Sequence, residues 1–298
     1  MKSNIETSPY GNNLIYKKEY TKNDIFEILK KKKLNGIKID TMWEVEDDLS
    51  FLRDFTFLEG LDISGVDKYN FGFLKYLKNL KTLSIRINAE GQIDFSNLKN
   101  LKNLTLHWKG NEVTGLEKCL NLETLCLVEF SEKNLMNISH FRNLNTLKIK
   151  TSSLKSLDGM ENLLKLKNIV LGNCRSLKDI SNLGALNNLT KLEIDTCSKI
   201  HDYSTLAQAE NLKELRIVNC RNINSIKFIE RLNKLEKISI LGNCDIIDGN
   251  VKPLENVEEV YYFHREHYNI KVATPQQDEK AKKNLANFAN SIRIINGK

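Results

Sequence analysis

One spacing constrains the fold of this chain more than any other feature. Between Leu166 and Cys244 the pattern L-x-x-L-x-L, in which Ile can replace Leu, occurs four times. The leading leucines of these four segments lie 23 residues apart each time. A constant period in the twenties is typical of a solenoid, in which each repeat stacks on its neighbours and a shared row of aliphatic side chains fills the interior.

The same pattern extends over most of the chain and predicts eleven strand motifs, of which the first and last are irregular. After a first step of 24 residues, every interval is 21 to 23 residues. The motifs begin at Leu34, Leu58, Leu80, Leu101, Leu122, Leu144, Leu166, Leu189, Leu212, Leu235 and Val257.

Strand alternation assigns a direction to each position of a motif. The first, fourth and sixth residues face the interior, and the third, fifth and seventh face outward. Apolar residues that lead into a strand lie three apart, as at Leu183, Leu186 and Leu189. This spacing favours tight 3₁₀-type or extended segments over full α-helices, so we expect a slim convex side.

Two segments show the complete repeat, L-x-x-L-x-x-L-x-L-x-x-N/C-x-x-L-x-D-I-S-x-L with Ile allowed for Leu. The residues that match are Leu186, Leu189, Leu192, Ile194, Cys197, Ile200 and Asp202, and separately Cys174 with Leu177-Lys178-Asp179-Ile180-Ser181. Over roughly residues 34–265 the chain therefore resembles the bacterial internalin-like class of leucine-rich repeats. The resemblance implies an α/β solenoid with a curved parallel β-sheet on its concave face, and protein–protein recognition as the usual function.

Solenoids need capped ends, because terminal repeats would otherwise expose the apolar interior. Residues 1–20 are polar and predicted to be irregular. Thr21-Lys22-Asn23-Asp24 resembles a capping box and predicts a helix over 22–33. A second helix is predicted from Thr274 as N-cap, with Pro275 first and a possible strand at the end of the chain. The predicted domains are 1–33 (N-terminal segment and capping helix), 34–263 (solenoid) and 264–298 (C-terminal cap).

A run of four lysines, Lys30 to Lys33, closes the first predicted helix. Its ordinary interpretation is a solvated helix end that the helix dipole favours. The alternative is a patch that binds phosphate or a membrane surface.

The six cysteines lack the close spacing of a metal site. Cys174, Cys197, Cys220 and Cys244 recur once per repeat just after the strand, and Cys119 stands where other repeats have Leu or Phe. We expect reduced, buried thiols. Asp94, Asp158 and Asp179 precede convex segments and are predicted to accept hydrogen bonds in turns.

Motifs of catalysis are not found, so we predict a protein that is not an enzyme and needs no cofactor. His264-Arg265-Glu266-His267 has two histidines three apart without a third ligand nearby, and we interpret it as part of the cap. Cys126 and His107 are one repeat apart and form the one candidate nucleophile–base pair.

The outward positions carry the candidate binding site. At the third position the C-terminal half alternates in charge through Lys191, Glu214, Lys237 and Glu259, which suits pairing between neighbouring strands. The candidate protein-binding residues lie at the fifth and seventh positions, or directly after them: Arg86, His107, Trp108, Lys148, Lys150, Glu193, Asp195, Arg216, Val218, Leu241, Tyr261 and Phe263.

Two clusters stand out within this set. Val218, Leu241 and Phe263, with Tyr261 beside them, would form an apolar strip that either contacts a partner or is covered by the C-terminal cap. Arg86, His107 and Trp108 form the second cluster, although Trp108 could equally pack under a loop.

The composition of the chain limits which classes of partner we expect. The net charge of +7, from 45 basic and 38 acidic residues, is modest and spread along the chain, so we expect no nucleic-acid partner. The sequence has no apolar run long enough for a spanning helix, and its first residues lack the apolar core of a signal peptide. We therefore expect a monomeric, cytoplasmic bacterial protein that binds another protein, with a secreted protein as the alternative if an upstream signal was removed.

Overall fold

A computed structural model describes residues 5–8, 11–42 and 48–272 of the chain. The strands within these ranges are β1 (Ile5–Ser8), β2 (Gly11–Ile15), β3 (Gly36–Asp40), β4 (Gly60–Ser64), β5 (Thr82–Arg86), β6 (Gln92–Asp94), β7 (Asn103–His107), β8 (Glu112–Thr114), β9 (Thr124–Val128), β10 (Thr146–Lys150), β11 (Asn168–Gly172), β12 (Lys191–Asp195), β13 (Glu214–Val218), β14 (Asn222–Ile223), β15 (Lys237–Leu241), β16 (Asp245–Ile246) and β17 (Glu259–Tyr262).

The helical segments in the same ranges are one α-helix and nine short 3₁₀ segments. They are α1 (Lys22–Lys32), η1 (Ser50–Asp54), η2 (Gly72–Tyr76), η3 (Leu116–Lys118), η4 (Met136–Ile138), η5 (Met160–Asn162), η6 (Ser181–Ala185), η7 (Ser204–Gln208), η8 (Lys227–Arg231) and η9 (Lys252–Asn256). The three-residue spacing of the apolar residues thus predicted the 3₁₀ geometry correctly.

Thirteen of the described strands form one sheet, in the order β1-β2-β3-β4-β5-β7-β9-β10-β11-β12-β13-β15-β17. Each of the eleven predicted motifs contributes a strand that starts two residues after the leading apolar residue, which confirms the repeat interpretation. β6 with β8 and β14 with β16 form two small parallel ladders that the sequence pattern did not predict.

The chain divides into two compact units. The first comprises residues 1–131 and 140–147. Within it, β2, β3, β4, β5, β7 and β9 pair in parallel, and each inward residue stacks on its counterpart one repeat away, as Leu61 does on Leu83. Both of these leucines are essentially inaccessible to solvent.

The N-terminal residues differ from the prediction of an irregular segment, which is wrong over β1 and β2. β2 runs parallel to β3, and β1 pairs with β2 in antiparallel fashion. The physical reason is Leu14, which lies opposite Ile37 in the ladder and is buried, so that it extends the interior row by one strand. The short apolar run Leu14-Ile15-Tyr16, preceded by polar residues, gave too weak a signal for a strand.

The helix α1 begins with the predicted capping box. The Asp24 amide donates to Thr21 Oγ1 at 3.2 Å, and Asp24 Oδ2 accepts from the Thr21 amide at 2.9 Å. These bonds satisfy amides that the first helical turn leaves unpaired. The hydrogen bond from the Thr21 hydroxyl to Asp24 Oδ2 at 2.7 Å, together with that from the Thr21 amide, lowers the pKa of the Asp24 carboxyl. Ile25 and Leu29 are buried, and the helix ends at Lys33 in a left-handed conformation.

The second unit comprises residues 132–139 and 148–298. Its strands β11, β12, β13, β15 and β17 pair in parallel, with Leu192 opposite Ile169 on one side and Leu215 on the other. The predicted helix from Thr274, its partners Pro275 and Gln277, and the final strand lie outside the described residues.

Carboxylate side chains accept hydrogen bonds in turns between the strands, in one case at the start of the 3₁₀ segment η6. Asp179 Oδ1 accepts from the Ser181 amide at 2.8 Å, and Asp94 Oδ1 accepts from the Ser96 amide at 2.9 Å. These bonds confirm the turn-acceptor prediction for both residues, and hydrogen bonding to Ser181 lowers the pKa of Asp179. Asp158 differs, since its Oδ2 accepts from the Ser156 hydroxyl at 2.6 Å.

The cysteines carry free thiols, and five of the six are buried, with Cys126 half-buried. The thiol of Cys197 donates to the carbonyl oxygen of Asp195 at 3.4 Å, and that of Cys220 donates to Val218 O at 3.2 Å. Each thiol thus satisfies a carbonyl at the bend that follows its strand. Burial raises the pKa of the Cys119 thiol to about 12, as expected for a core residue.

A row of asparagines on the outside of the repeats was missed by the sequence analysis. In six repeats the residue before the leading leucine is Asn, and its Nδ2 donates to a backbone carbonyl of the preceding repeat at 2.7–3.1 Å. The members of this asparagine ladder are Asn79, Asn100, Asn121, Asn143, Asn188 and Asn211. Their spacing was visible in the sequence but was not connected to a structural role.

Leu192→Asp tests the shared interior. Leu192 is fully buried between two strands, so an unpaired carboxylate there should cost several kcal/mol of unfolding free energy. Urea unfolding followed by circular dichroism measures the loss. The exposed Lys199→Asp serves as the control, and equal stability of the two variants would contradict the stacked interior.

Asp179 tests the turns. Removal of the acceptor in Asp179→Ala should cost about 0.5–2 kcal/mol at neutral pH. Because the folded-state pKa is lowered, this stabilisation is present above the unfolded value of about 3.9 and is lost as the pH falls through the folded value. The difference in unfolding free energy between wild type and Asp179→Ala should therefore shrink in acid. Asp179→Asn is the control, because it keeps an acceptor at every pH. If the free-energy difference for the alanine variant did not change with pH, this account would be refuted.

Candidate functional site

The open face of the sheet, which carries the third, fifth and seventh residues of each motif, is the candidate binding surface. In the first unit its floor is made of small polar or thiol side chains on β5, β7 and β9. Ser84 lies opposite Thr105, and Thr105 lies opposite Cys126, and all three are half-buried. Small side chains leave room for a partner to approach the sheet.

Arg86 stands at the end of β5 beside this floor. Its Nη2 contacts both carboxylate oxygens of Asp62, at 3.0 and 2.9 Å, and its side chain remains 38% exposed. The carboxylate fixes the guanidinium in place and leaves part of it available to a partner. Asp62 was not among the predicted site residues, although its position, one motif before Arg86 and opposite in charge, could have identified it.

His107 and Trp108 continue the edge of the same unit. His107 Nε2 lies 3.2 Å from Glu129 Oε2, and both side chains are partly exposed. The Trp108 ring packs edge-on against the buried Phe130 ring, with centroids 5.0 Å apart. Trp108 is half-buried: one side of its ring packs on the core, as the packing alternative expected, and the other side remains accessible.

In the second unit the third-position charges pair across strands as expected. Lys191 Nζ lies 2.8 Å from Glu214 Oε2, and Lys237 Nζ lies 2.9 Å from Glu259 Oε2. Each charge therefore has its partner on the neighbouring strand. These charges neutralise one another within the sheet, so this row does not require an external partner.

The apolar strip is the main correction to the predicted site. Val218 and Leu241 are fully buried, Tyr261 is 3% exposed, and Phe263 is partly buried against them. Val218 lies opposite Leu241 in the ladder, so large apolar groups on neighbouring strands pack together into a second, smaller core. An outward direction from the strand did not mean exposure to solvent, and of the two alternatives for this strip its burial favours a covered strip over one that is open to a partner.

Asp195 is a second correction, since only 5% of it is exposed. Its Oδ1 accepts from the Thr196 hydroxyl at 2.9 Å and from Asn219 Nδ2 at 3.4 Å, and burial raises its pKa. Glu193 is half-buried, and burial raises its pKa also. The remaining predicted residues, Arg216, Lys148 and Lys150, are half-buried on β13 and β10.

The His264-to-His267 segment fastens to the preceding repeat. Arg265 Nη2 donates to Cys244 O at 2.8 Å, and Arg265 Nε lies 3.2 Å from Asp245 Oδ1. Tyr268 Oη donates to the same carboxylate at 3.2 Å. These contacts account for the segment structurally, in line with its interpretation as part of the cap.

Within the described ranges, no group of three or more His, Cys, Asp and Glu side chains is arranged to hold a metal ion. In the same ranges, none of the helices has both the length and the apolar character needed to cross a membrane.

No family model and no curated protein matches the sequence. Among solved structures, the chain is similar to an internalin, InlF, from Listeria monocytogenes, with a TM-score of 0.57 and 16% identity over 92% of this chain and 85% of that one. The fold is a leucine-rich-repeat solenoid that resembles the internalin-like class. A second internalin of the same species, internalin C2, aligns with a TM-score of 0.47 and 26% identity over 62% of this chain and 81% of that one.

Leu241 tests the corrected view of the strip. Because this side chain is fully buried, Leu241→Ala should lower the unfolding free energy by about 2–5 kcal/mol, which chemical denaturation measures. Ile247 is 49% exposed, so Ile247→Ala should change it by less than about 0.5 kcal/mol. If both variants were as stable as the wild type, Leu241 would be a surface residue after all.

Proposed function

We propose that this protein recognises another protein through the open face of its first unit and does so without catalysis. The observation that carries the proposal is the arrangement of Arg86 over the small floor of Ser84 and Thr105, held by Asp62 and partly exposed. An oriented, accessible guanidinium beside a shallow floor is the kind of anchor that protein interfaces use.

The position of the other charged and aromatic groups supports a protein partner. His107, Glu129 and Trp108 lie along the same side of the unit as Arg86 and offer donors, an acceptor and an aromatic surface. The floor is built on hydrogen-bonded strands about 4.8 Å apart, so its side chains are held in fixed register. A rigid surface loses little conformational entropy when a partner binds.

Internalin-like folds suggest protein recognition in general, and they leave the biological role open. We propose an intracellular bacterial adaptor, regulator or toxin-neutralising protein. The alternative is an exported protein that contacts host molecules, as the internalin-like resemblance would suggest. A signal peptide encoded upstream in the genomic reading frame would favour the alternative.

Site-directed photo-crosslinking tests the recognition face. A photoreactive amino acid in place of Thr105 should yield a discrete crosslinked protein in cells of the source organism, identified by mass spectrometry. Arg86→Ala combined with His107→Ala should reduce the yield by about tenfold or more, since truncation of an anchor typically costs over 1 kcal/mol. Lys99→Ala, an exposed change away from the open face, is the matched control and should leave the yield unchanged.

Loss of crosslinking in the Lys99→Ala variant, or an undiminished yield in the double variant, would place the binding surface elsewhere. The folded state of each variant is checked by its melting temperature, because Arg86 and His107 are surface residues whose truncation should leave it nearly unchanged.

A further inference from the structure

A cleft at the N-terminal end of the first unit is separate from the open face of the sheet. It lies between the C-terminal half of α1 and the repeat that contains η1, and its volume is about 590 Å³. Four apolar side chains form its walls, and two lysines and one glutamate form its rim: Phe26, Leu29, Leu34 and Phe57, with Lys30, Lys33 and Glu27. This volume falls within the range of about 300–1,000 Å³ that is typical of ligand pockets.

Phe57 marks this cleft as a departure from the repeat. It occupies the position that the asparagine ladder fills in six other repeats, three residues after the end of η1. It is 40% exposed, and its ring lies 5.8 Å from that of Phe26 and 6.2 Å from that of Phe55. A structural asparagine has thus been replaced by an aromatic ring that remains half in solvent.

The aromatic rings form a continuous surface. Phe26 stacks on the buried Phe55 with centroids 4.4 Å apart, so the wall of the cleft is anchored in the core and is rigid. A partly exposed ring next to such a wall can gain further burial only from a group outside the described chain. A bulky apolar side chain has the shape and chemistry for this place.

The rim of the cleft selects the charge of the occupant. Lys30 and Lys33 line it opposite a single carboxylate, Glu27, and Lys31 and Lys32 are exposed on the same helical turn. Within the described part of the chain, neither Lys30 nor Lys33 forms an ion pair. The C-terminus of α1 contributes only about half a negative charge, which four lysines outweigh.

We infer that this cleft is a second binding site, for an acidic peptide segment that packs one aromatic or aliphatic side chain into the recess against Phe26 and Phe57. Its carboxylates would pair with Lys30 and Lys33 at the rim. A membrane surface is a poorer match, because insertion into a bilayer requires apolar groups that protrude and here they line a recess. A bare phosphate is also a poorer match, since the Lys33 amide at the helix end already donates to Leu29 O and Lys30 O.

The test uses the full-length protein and a synthetic peptide in which two glutamates flank a single phenylalanine on each side. Two further peptides replace the phenylalanine by alanine or the glutamates by lysine. Titrations are followed by amide chemical shifts in two-dimensional NMR spectra. The first peptide should shift the amides of residues around Phe26, Leu34 and Phe57, and each of the other two should bind about tenfold more weakly or not at all.

Variants then assign the binding to the cleft. Phe57→Asn, which restores the residue of the asparagine ladder, should weaken binding by about tenfold, and so should Lys30→Gln combined with Lys33→Gln. The lysine variants alter only exposed groups, so they keep the test valid if Phe57→Asn proves unstable. Lys99→Gln is the matched control and should bind like the wild type. Binding in the wild type should also weaken as salt is added.

Several results would overturn the inference: no shifts at about 1 mM of the acidic peptide, equal binding of the alanine peptide, or shifts centred away from the cleft. Phe57-dependent binding to anionic phospholipid vesicles without any peptide binding would assign the cleft to membranes instead. Arg86→Ala should leave the peptide titration unchanged, so this test and the crosslinking test of the open face can fail independently.

Discussion

The stacking of aliphatic side chains between parallel strands is the constraint on which the rest of the structure depends. A five-residue strand of this sheet buries two inward side chains, such as Leu192 and Ile194 in β12, and turns three outward. Neither side chain can be buried by its own repeat, so each repeat is stable only through its neighbours. This requirement explains why the leading leucines keep their period while the outward residues vary widely.

The same requirement decides where polar groups are needed. Each repeat turns back on itself, and its bends leave carbonyls without partners in a ladder. The asparagine ladder and the buried thiols, such as that of Cys197, donate to these carbonyls, and carboxylates such as that of Asp179 accept from backbone amides at the bends. The cysteines therefore have a structural explanation that requires neither a disulfide nor a metal, and burial raises the pKa of the Cys119 thiol, which favours its neutral, unreactive form.

The sequence predicted what periodicity controls and failed where it does not. The eleven strands, the 3₁₀ segments and the capping box at Thr21 follow from short-range spacing, and the structure contains all of them. The strand at Leu14 was missed because the three-residue apolar run Leu14-Ile15-Tyr16 is too short to show a period. The sequence could not decide whether the strip at Leu241 is open or covered, because strand alternation gives direction only, whereas burial depends on what packs against that side. Asp62 and Glu129 were not predicted because the sequence analysis did not pair charges at different positions of neighbouring motifs, a comparison that could have identified Asp62 as the partner of Arg86.

The two proposed binding sites lie at different kinds of position, one within the repeats and one at their N-terminal end. On the open face the backbone is fixed by the stacked interior, so outward residues such as Ser84 and Arg86 can change without cost to the fold. At Phe57 the position itself is structural in other repeats, and asparagine there bonds to the carbonyl of a preceding repeat. The first full repeat follows α1 instead of another repeat. An asparagine at this position would therefore have no carbonyl of a preceding repeat to which it could donate. Phe57 stands there instead and packs against Phe26 of the helix. The exposed part of its ring lies beside the lysines that end α1, and together they form the apolar and basic cleft proposed as a peptide site.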